Sequence, residues 1–445
     1  MKNSKYFYLH SLGCAKNTVD SRSMAQLLDE TGYQSTNQPG DAQLLIVNTC
    51  GFIGPARAES IQALQQLAEC KTSEQKLIAA GCLSQRYGNE IAKNIPGIDG
   101  IIGTRRWMDI VDVIDKIQSR KSSQTLYHIP EVPNVGRDEK GALRVAIEGK
   151  SAYLKIADGC RRPCAFCAIP LIKGTHISRQ PEHIISEAKY LQSMGVQEIV
   201  LISQDTTDYG HDIGVKNGLA QLLKEMVASV PDIPWIRIMY AYPGYVTNEL
   251  IETMASHSQI VPYLDMPLQH GNRKTLLRMK RPANLDWVHK TIHKMRDAIP
   301  DLAIRTTFIV GYPGETDSEF GTLLDFVEEL QFDRLGAFQF SFEHDTTSAP
   351  LGDPISQEIK ENRFEKLMQL QQNISLQKNQ QFLGKTLDVL IEGKEDGISV
   401  GRSYRDAPEI DGTVIVEGEL PVGTISPVYI TGAMTYDLTG VPAQQ

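Results

Sequence analysis

Residues 160–167 read Cys160-Arg-Arg-Pro-Cys164-Ala-Phe-Cys167, three thiols spaced C-x3-C-x2-C in one short loop. Three thiolates this close can hold three irons of a cubane cluster and leave the fourth iron without a protein ligand. Soft thiolates select iron–sulfur clusters or zinc, and spacing does not separate the two. A zinc site would normally take a fourth Cys or His, and His176 is the only close candidate, beyond Ile169-Pro170. A second set is dispersed: Cys14, Cys50 and Cys82, at separations of 36 and 32 residues. Each follows a short apolar run, and the neighbours Gly13, Asn48-Thr49, Gly51 and Gly81 are loop-like rather than core-like. These three read as a further cluster or metal site. Cys70, at the polar end of a helical pattern, lies outside both sets and reads as structural.

The dispersed cysteines can meet only if the fold brings them together. Apolar runs at 6–9, 44–47 and 76–80 read as strands, with helical patterns at 21–30 and 56–69. Strand–helix alternation of this kind implies a small parallel sheet covered by helices. Ligands gather beyond the carboxyl ends of such strands, which is where Cys14, Cys50 and Cys82 would lie. Residues 121–142 are mostly polar with two prolines and read as a linker.

Strands are expected again at 152–157, 198–203, 235–240, 306–310 and 336–340, with helices at 182–194 and 319–329, enough βα repetition for a barrel or a partial barrel. A Gln- and Lys-rich helix at about 355–380 follows. Short β runs at 386–391, 413–416 and 426–431, parted by Gly, Asp and Pro turns, suggest a small antiparallel barrel. The expected plan is therefore α/β: an N-terminal domain (1–120), a linker (121–142), a partial (α/β) barrel domain (143–377) and a C-terminal β-barrel (378–445).

The 445 residues carry a formal net charge of -9. Such a chain has no global attraction to phosphate backbones, so nucleic-acid binding would need a local basic patch. The segment 384–445 holds 4 basic and 10 acidic residues, concentrating the negative charge in the last domain. An acidic small barrel is a poor RNA clamp, so direct RNA binding is expected to be weak or absent. Seven cysteines, an odd and unevenly spaced set, do not suit a secreted disulfide scaffold. Residues 1–10 lack a signal-peptide pattern and no window approaches a membrane span, so a reduced cytoplasmic setting is expected.

The C-x3-C-x2-C loop after a strand resembles the cluster motif of the radical S-adenosylmethionine enzymes. The resemblance extends to their methylthiotransferase family through Ser11-Leu-Gly-Cys-Ala-Lys-Asn17 with Asp20-Ser21, through Gly159 to Pro170, and through Arg402-Ser-Tyr-Arg-Asp-Ala-Pro-Glu-Ile-Asp-Gly412. The last stretch is similar to the branch that modifies ribosomal protein S12 rather than tRNA, and the family plan ends in a TRAM barrel.

This resemblance implies that Cys160, Cys164 and Cys167 hold a radical-generating [4Fe–4S] cluster whose open iron takes S-adenosylmethionine. It implies that Cys14, Cys50 and Cys82 hold an auxiliary [4Fe–4S] cluster that carries the added sulfur, drawn from sulfide or polysulfide. A turn Gly311-Tyr312-Pro313-Gly314-Glu315 would help bind S-adenosylmethionine, with Phe166, Ser203, Gln204, Arg237 and Gln269 as further contacts. The implied reaction puts a methylthio group on the β-carbon of an S12 aspartate. It consumes two S-adenosylmethionine molecules and takes an electron from a low-potential donor such as flavodoxin or ferredoxin. Asp406, Glu409 and Asp411 are the expected docking residues for basic S12. The alternatives are a tRNA (N6-isopentenyladenosine-C2) methylthiotransferase with the same clusters, and a non-enzymatic zinc-stabilised binding protein.

Overall fold

The computed structural model describes residues 5–120, 124–130 and 140–443. The N-terminal sheet has six parallel strands: β1 (Lys5–Ser11), β2 (Tyr33–Ser35), β3 (Leu44–Thr49), β4 (Lys76–Gly81), β5 (Gly100–Gly103) and β6 (Leu126–His128), in the order β2-β1-β3-β4-β5-β6. The central strand β3, Leu-Leu-Ile-Val-Asn-Thr, is buried along its whole length, as a parallel strand covered on both faces should be. Four helices cover it: α1 (Ala15–Glu30), α2 (Gly54–Cys70), α3 (Cys82–Asn94) and α4 (Ile110–Ser119). Leu44 and Ile46 pack on one layer with Met24, Leu28 and Val113. Leu45 and Val47 pack on the other with Leu64, Leu83 and Ile91. Of the stretch expected to be a linker, residues 121–123 and 131–139 lie outside the described residues, while β6 pairs with β5 as the sheet's last strand.

The middle of the chain forms β7 (Val145–Glu148), β8 (Ser151–Lys155), β9 (Ala157–Asp158), β10 (Ile177–Ser178), β11 (Glu198–Ile202), β12 (Trp235–Ile238), β13 (Ile260–Asp265), β14 (Ala303–Val310) and β15 (Arg334–Gln339). Seven of these make one open sheet in the order β15-β14-β13-β12-β11-β8-β7, parallel except for the edge pair β7·β8, while β9 and β10 pair separately. One face carries Leu154, Leu201, Leu264 and Ile304 against the helices. The other carries Tyr153, Val200, Trp235 and Tyr263, and is capped by Leu390 and Ala407 of the C-terminal domain.

That last domain is a closed barrel of β16 (Thr386–Glu395), β17 (Ile398–Ser403), β18 (Val414–Glu417), β19 (Ile425–Ala433) and β20 (Leu438–Pro442), in the order β16-β17-β18-β20-β19. It is antiparallel except where β18 meets β20.

The loop after β17 is pressed against the open sheet by buried ion pairs. Glu198 on β11 accepts from Arg237 Nε (2.7 Å) and from Arg402 (2.7 Å), and Arg237 also donates to the Tyr404 carbonyl (2.7 Å). Asp406 pairs with Arg334 and accepts from Ser403 Oγ (2.9 Å). Asp411 accepts from Tyr263 Oη (2.6 Å) and pairs with Arg305 (3.3 Å). Two expected docking residues, Asp406 and Asp411, are therefore internal braces whose charges are already met. Only Glu409 of the three is exposed.

Burial alone would raise the Glu198 carboxyl, but Arg237 and Arg402 overcome it and hold the group down at about 2, against a usual value near 4.5. A depressed carboxylate contributes stability that is present above the unfolded value and is lost as pH falls through the folded one. Glu198→Gln should cost about 3 kcal/mol at neutral pH. In urea unfolding, the difference between native and variant should shrink as pH is lowered from 4.5 toward 2. A difference that stays constant with pH would contradict this role.

Candidate active site

Cys14 immediately precedes α1, Cys50 follows β3, and Cys82 opens α3 directly after β4. Since β1, β3 and β4 are neighbours in the sheet, their carboxyl ends bring the three thiols to one rim. Glycines allow the close approach. Gly13 has φ +97°, and a Cβ there would lie 2.9 Å from the Cys50 Cβ. A Cβ on Gly51 would lie 2.7 Å from the Leu83 Cα. Asn17 ties the loops together by donating through Nδ2 to the carbonyls of Leu12 (2.9 Å) and Thr49 (3.1 Å), and Cys82 Sγ donates to its Oδ1 (3.6 Å).

The compact triplet lies between β9 and the short helix α5 (Ile169–Lys173). The Cys160 amide donates to the Gly174 carbonyl (3.1 Å) and the Cys167 amide to the Cys164 carbonyl (3.1 Å), which curls the loop on itself. Arg281 donates to Cys164 Sγ (3.5 Å), and the Arg162 amide donates to Cys160 Sγ (3.5 Å).

All six cysteines line one cavity of about 420 Å³. Its wall contains Lys16, Arg162, Lys173 and Arg281 and, among the described residues, no Asp, Glu or His. Among the described residues no three His, Cys, Asp or Glu side chains converge on a point as the ligands of a single ion would. The thiols instead surround a space. A soft donor set with a cationic wall fits anionic thiolate-bound clusters. His176, the only nearby fourth zinc ligand in the sequence, sits away from this wall, hydrogen-bonded to Ser178 (3.2 Å).

Burial works against ionising most of these thiols. Burial pushes Cys82 up to about 12 and Cys160 up to about 11, and it raises Cys50 and Cys167 as well. Cys14 runs the other way: burial works to raise it, but Lys16 and the amides of Asn17 and Lys16 outweigh that and lower it.

Of the expected cofactor contacts, Phe166, Gln204 and Gln269 line the cavity. The side-chain carbonyls of Gln204 and Gln269 are buried without a hydrogen-bond partner among the described residues. Ser203 is buried away from the wall, its Oγ accepting from the Asp205 amide (3.1 Å). Arg237 faces the C-terminal domain through Glu198 and Tyr404, because its place on β12 points it to the opposite end of the sheet's inner face. The turn from Gly311 through Tyr312, Pro313 and Gly314 to Glu315 is also outside the wall. Glu315 accepts from the amides of Gly311 (3.0 Å) and Tyr312 (3.4 Å) and pairs with Arg363 (2.9 Å), so those two amides of the turn are already used.

Sequence reasoning did not single out Lys173, Tyr240, Tyr242 or Arg281 for the wall. Tyr240 and Gln269 have φ of +62° and +76°, and strained non-glycine backbone tends to gather at functional sites. Gln269 was among the expected contacts, whereas no local pattern in the sequence marks Tyr240. Lys16 and Asn17 did lie inside a quoted motif.

Comparison with known proteins agrees with this geometry. Residues 154–327 match the Radical SAM superfamily, 383–442 the TRAM domain, and 6–103 a family described as Uncharacterized protein family UPF0004. A "Ribosomal protein uS12 methylthiotransferase RimO" of Chloroflexus aurantiacus is 46% identical over 450 residues, covering 98% of this chain and 99% of that protein. One from Roseiflexus sp. is 45% identical over 455 residues, covering 98% and 96%. This chain belongs to the uS12 methylthiotransferase family.

It is a radical S-adenosylmethionine enzyme of the methylthiotransferase type, with the iron–sulfur and S-adenosylmethionine dependence of its superfamily. Among solved structures, the methyltransferase TsrM from Kitasatospora setae shares the fold at TM-score 0.56 and 13% identity, covering 78% of this chain and 74% of that one. The cobalamin-dependent radical enzyme OxsB does so at 0.53 and 12%, covering 84% and 56%. Among the described residues no helix is long and apolar enough to cross a membrane.

Gly13 gives the sharpest test of how the family's N-terminal thiols are held. Gly13→Ala introduces a Cβ 2.9 Å from that of Cys50 at a left-handed φ. The variant should bind less iron than the native chain after anaerobic reconstitution, by iron and sulfide assay. Unchanged iron content would show that the close approach is not needed.

Proposed function

We propose that this enzyme transfers a methylthio group to the β-carbon of an aspartate in ribosomal protein S12, in a reduced cytoplasmic setting. One cluster is held by Cys160, Cys164 and Cys167, and an auxiliary cluster by Cys14, Cys50 and Cys82. The observation that supports this best is that two thiol sets, from separately folded sheets, share one cavity with a wholly cationic set of charges. When bound, two [4Fe–4S] clusters and two equivalents of S-adenosylmethionine, with sulfide or polysulfide and an electron from a donor such as flavodoxin or ferredoxin, supply hydrogen abstraction, sulfur and methyl.

The chain's own residues hold, orient and shield. Arg162 is fixed by Asp205 (2.5 Å) and Asp208 (3.2 Å), and Lys173 by Asp20 (2.8 Å), so their charges stay in place beside the thiols. Fixed charges act strongly in a site of low dielectric and need no rearrangement during reaction. Gln204 and Gln269 present unpaired carbonyls that suit the donor groups of S-adenosylmethionine. Phe166, Phe52 and Phe338 make part of the wall apolar and help keep water from a reactive carbon.

Charge also favours S12 over tRNA. The two arginines of the C-terminal barrel, Arg402 and Arg405, are buried, whereas Asp388, Glu392, Glu395, Asp396, Glu417 and Glu419 are exposed. With Glu409, this exterior complements a basic protein and repels RNA.

The direct test compares cells with and without the gene, by fragment mass mapping of S12 and nucleoside analysis of tRNA. Loss of one methylthio group from a single S12 aspartate, with tRNA unchanged, is expected. Loss from tRNA instead would overturn the substrate assignment and leave the cluster chemistry standing.

A further inference from the structure

Four cationic side chains line the cavity, and three have committed partners. Arg162 is engaged by Asp205 and Asp208, Lys173 by Asp20, and Arg281 by Cys164 Sγ and the Pro267 carbonyl. Lys16 differs. Its side chain is 9% exposed, and its ammonium has no hydrogen bond or ion pair among the described residues. It rests over the Tyr240 ring, 3.1 Å from the centroid. Asp265, a carboxylate that acts electrostatically on Lys16, is already occupied by Arg305 (3.0 Å) and by the Tyr240 amide (3.1 Å). Asn17 and Asp20 anchor the first turns of α1, so the stem of Lys16 is fixed at its base. Lys16 thus faces the cavity beside the Cys14 thiol with its donors unmet; burying an ammonium in that state is costly, and an arriving carboxylate would relieve the cost.

From this geometry we infer that Lys16 is the carboxylate-binding residue for the substrate aspartate, an inference that rests on the S12 reading above. The reacting β-carbon is one bond from the carboxylate, about 1.5 Å. A charge-assisted contact to the carboxylate therefore fixes the reacting carbon almost directly. Lys16 enters from the N-terminal domain and Tyr240 from the end of β12, so the pair spans the same two sheets as the thiols. The site selects an acidic side chain. A carboxamide of the same shape would offer a carbonyl acceptor but no opposite charge, so the site discriminates by charge rather than by size.

The test uses the anaerobically reconstituted enzyme and its Lys16→Met, Lys16→Gln and Lys16→Arg variants, with cluster loading checked by electron paramagnetic resonance. Each is titrated calorimetrically with purified S12 and with S12 whose target aspartate is changed to asparagine. The native enzyme should prefer the aspartate form by about 30-fold or more, the scale of losing one partner of a buried charge pair. Lys16→Met should erase that preference and Lys16→Arg should keep most of it. If Lys16→Met does not load clusters, Lys16→Gln, which is also neutral, decides. An intact preference in the neutral variant overturns the inference, as does a weaker S-adenosylmethionine affinity with the preference unchanged. If the native enzyme does not modify S12 at all, it is the underlying functional reading that fails.

Discussion

The structure depends on a buried ionic cluster between its first two sheets. Asp20, on the helix that also carries Lys16 and Asn17, meets Lys155, Lys173 (2.8 Å) and Arg144 (3.3 Å), while Asp158 pairs with Arg144 (2.5 Å) and Lys155 (3.3 Å). Burial works to raise Asp20, but Lys155 and Lys173 outweigh it and keep the carboxyl low. Such a network is expensive unless every partner is in place, so it fixes register more than it adds stability. Here it sets α1, and with it Cys14, against β8, β9 and α5, the last two of which flank the Cys160–Cys167 loop. The shared cavity follows from that one alignment.

The three-part architecture was readable because its main signals are local. The apolar run at 44–47 leads through Asn48-Thr49 to Cys50 and the run at 76–80 through Gly81 to Cys82, and β3 and β4 keep that placement. Strands without such a signal escaped. Ile260–Asp265 carries Pro262, which argues against a strand on sequence grounds although β13 holds it in the sheet. Gly100–Gly103 is two isoleucines between glycines, too short for any period to register, and Leu126–His128 is an edge strand in polar surroundings.

The site was legible where chemistry is carried by residue type and illegible where it is carried by partners. The six cysteines that the sequence marks line one cavity. The acidic run Asp406 to Asp411 invited a docking role because a sequence does not show that Arg334 and Arg305 lie beneath it. Arg237 looked like a strand-end polar group facing the active mouth, yet it serves the opposite end. Tyr240, which the sequence did not mark, owes its place to left-handed backbone that only the packed strands impose. The uncommitted charge of Lys16 is likewise a property of its surroundings, visible only once every neighbour has been assigned.

In the function proposed above, each of the two thiol sets holds its own cluster and both face one cavity. Iron and sulfide analysis with Mössbauer spectroscopy on the reconstituted native chain tests it most directly, alongside two variants in which Cys14, Cys50 and Cys82, or Cys160, Cys164 and Cys167, are all changed to alanine. About eight irons are expected in the native chain and about four in each variant, all with cubane signatures. Saturation of the native chain at about four irons, or zinc binding in preference to iron at either set, would contradict it.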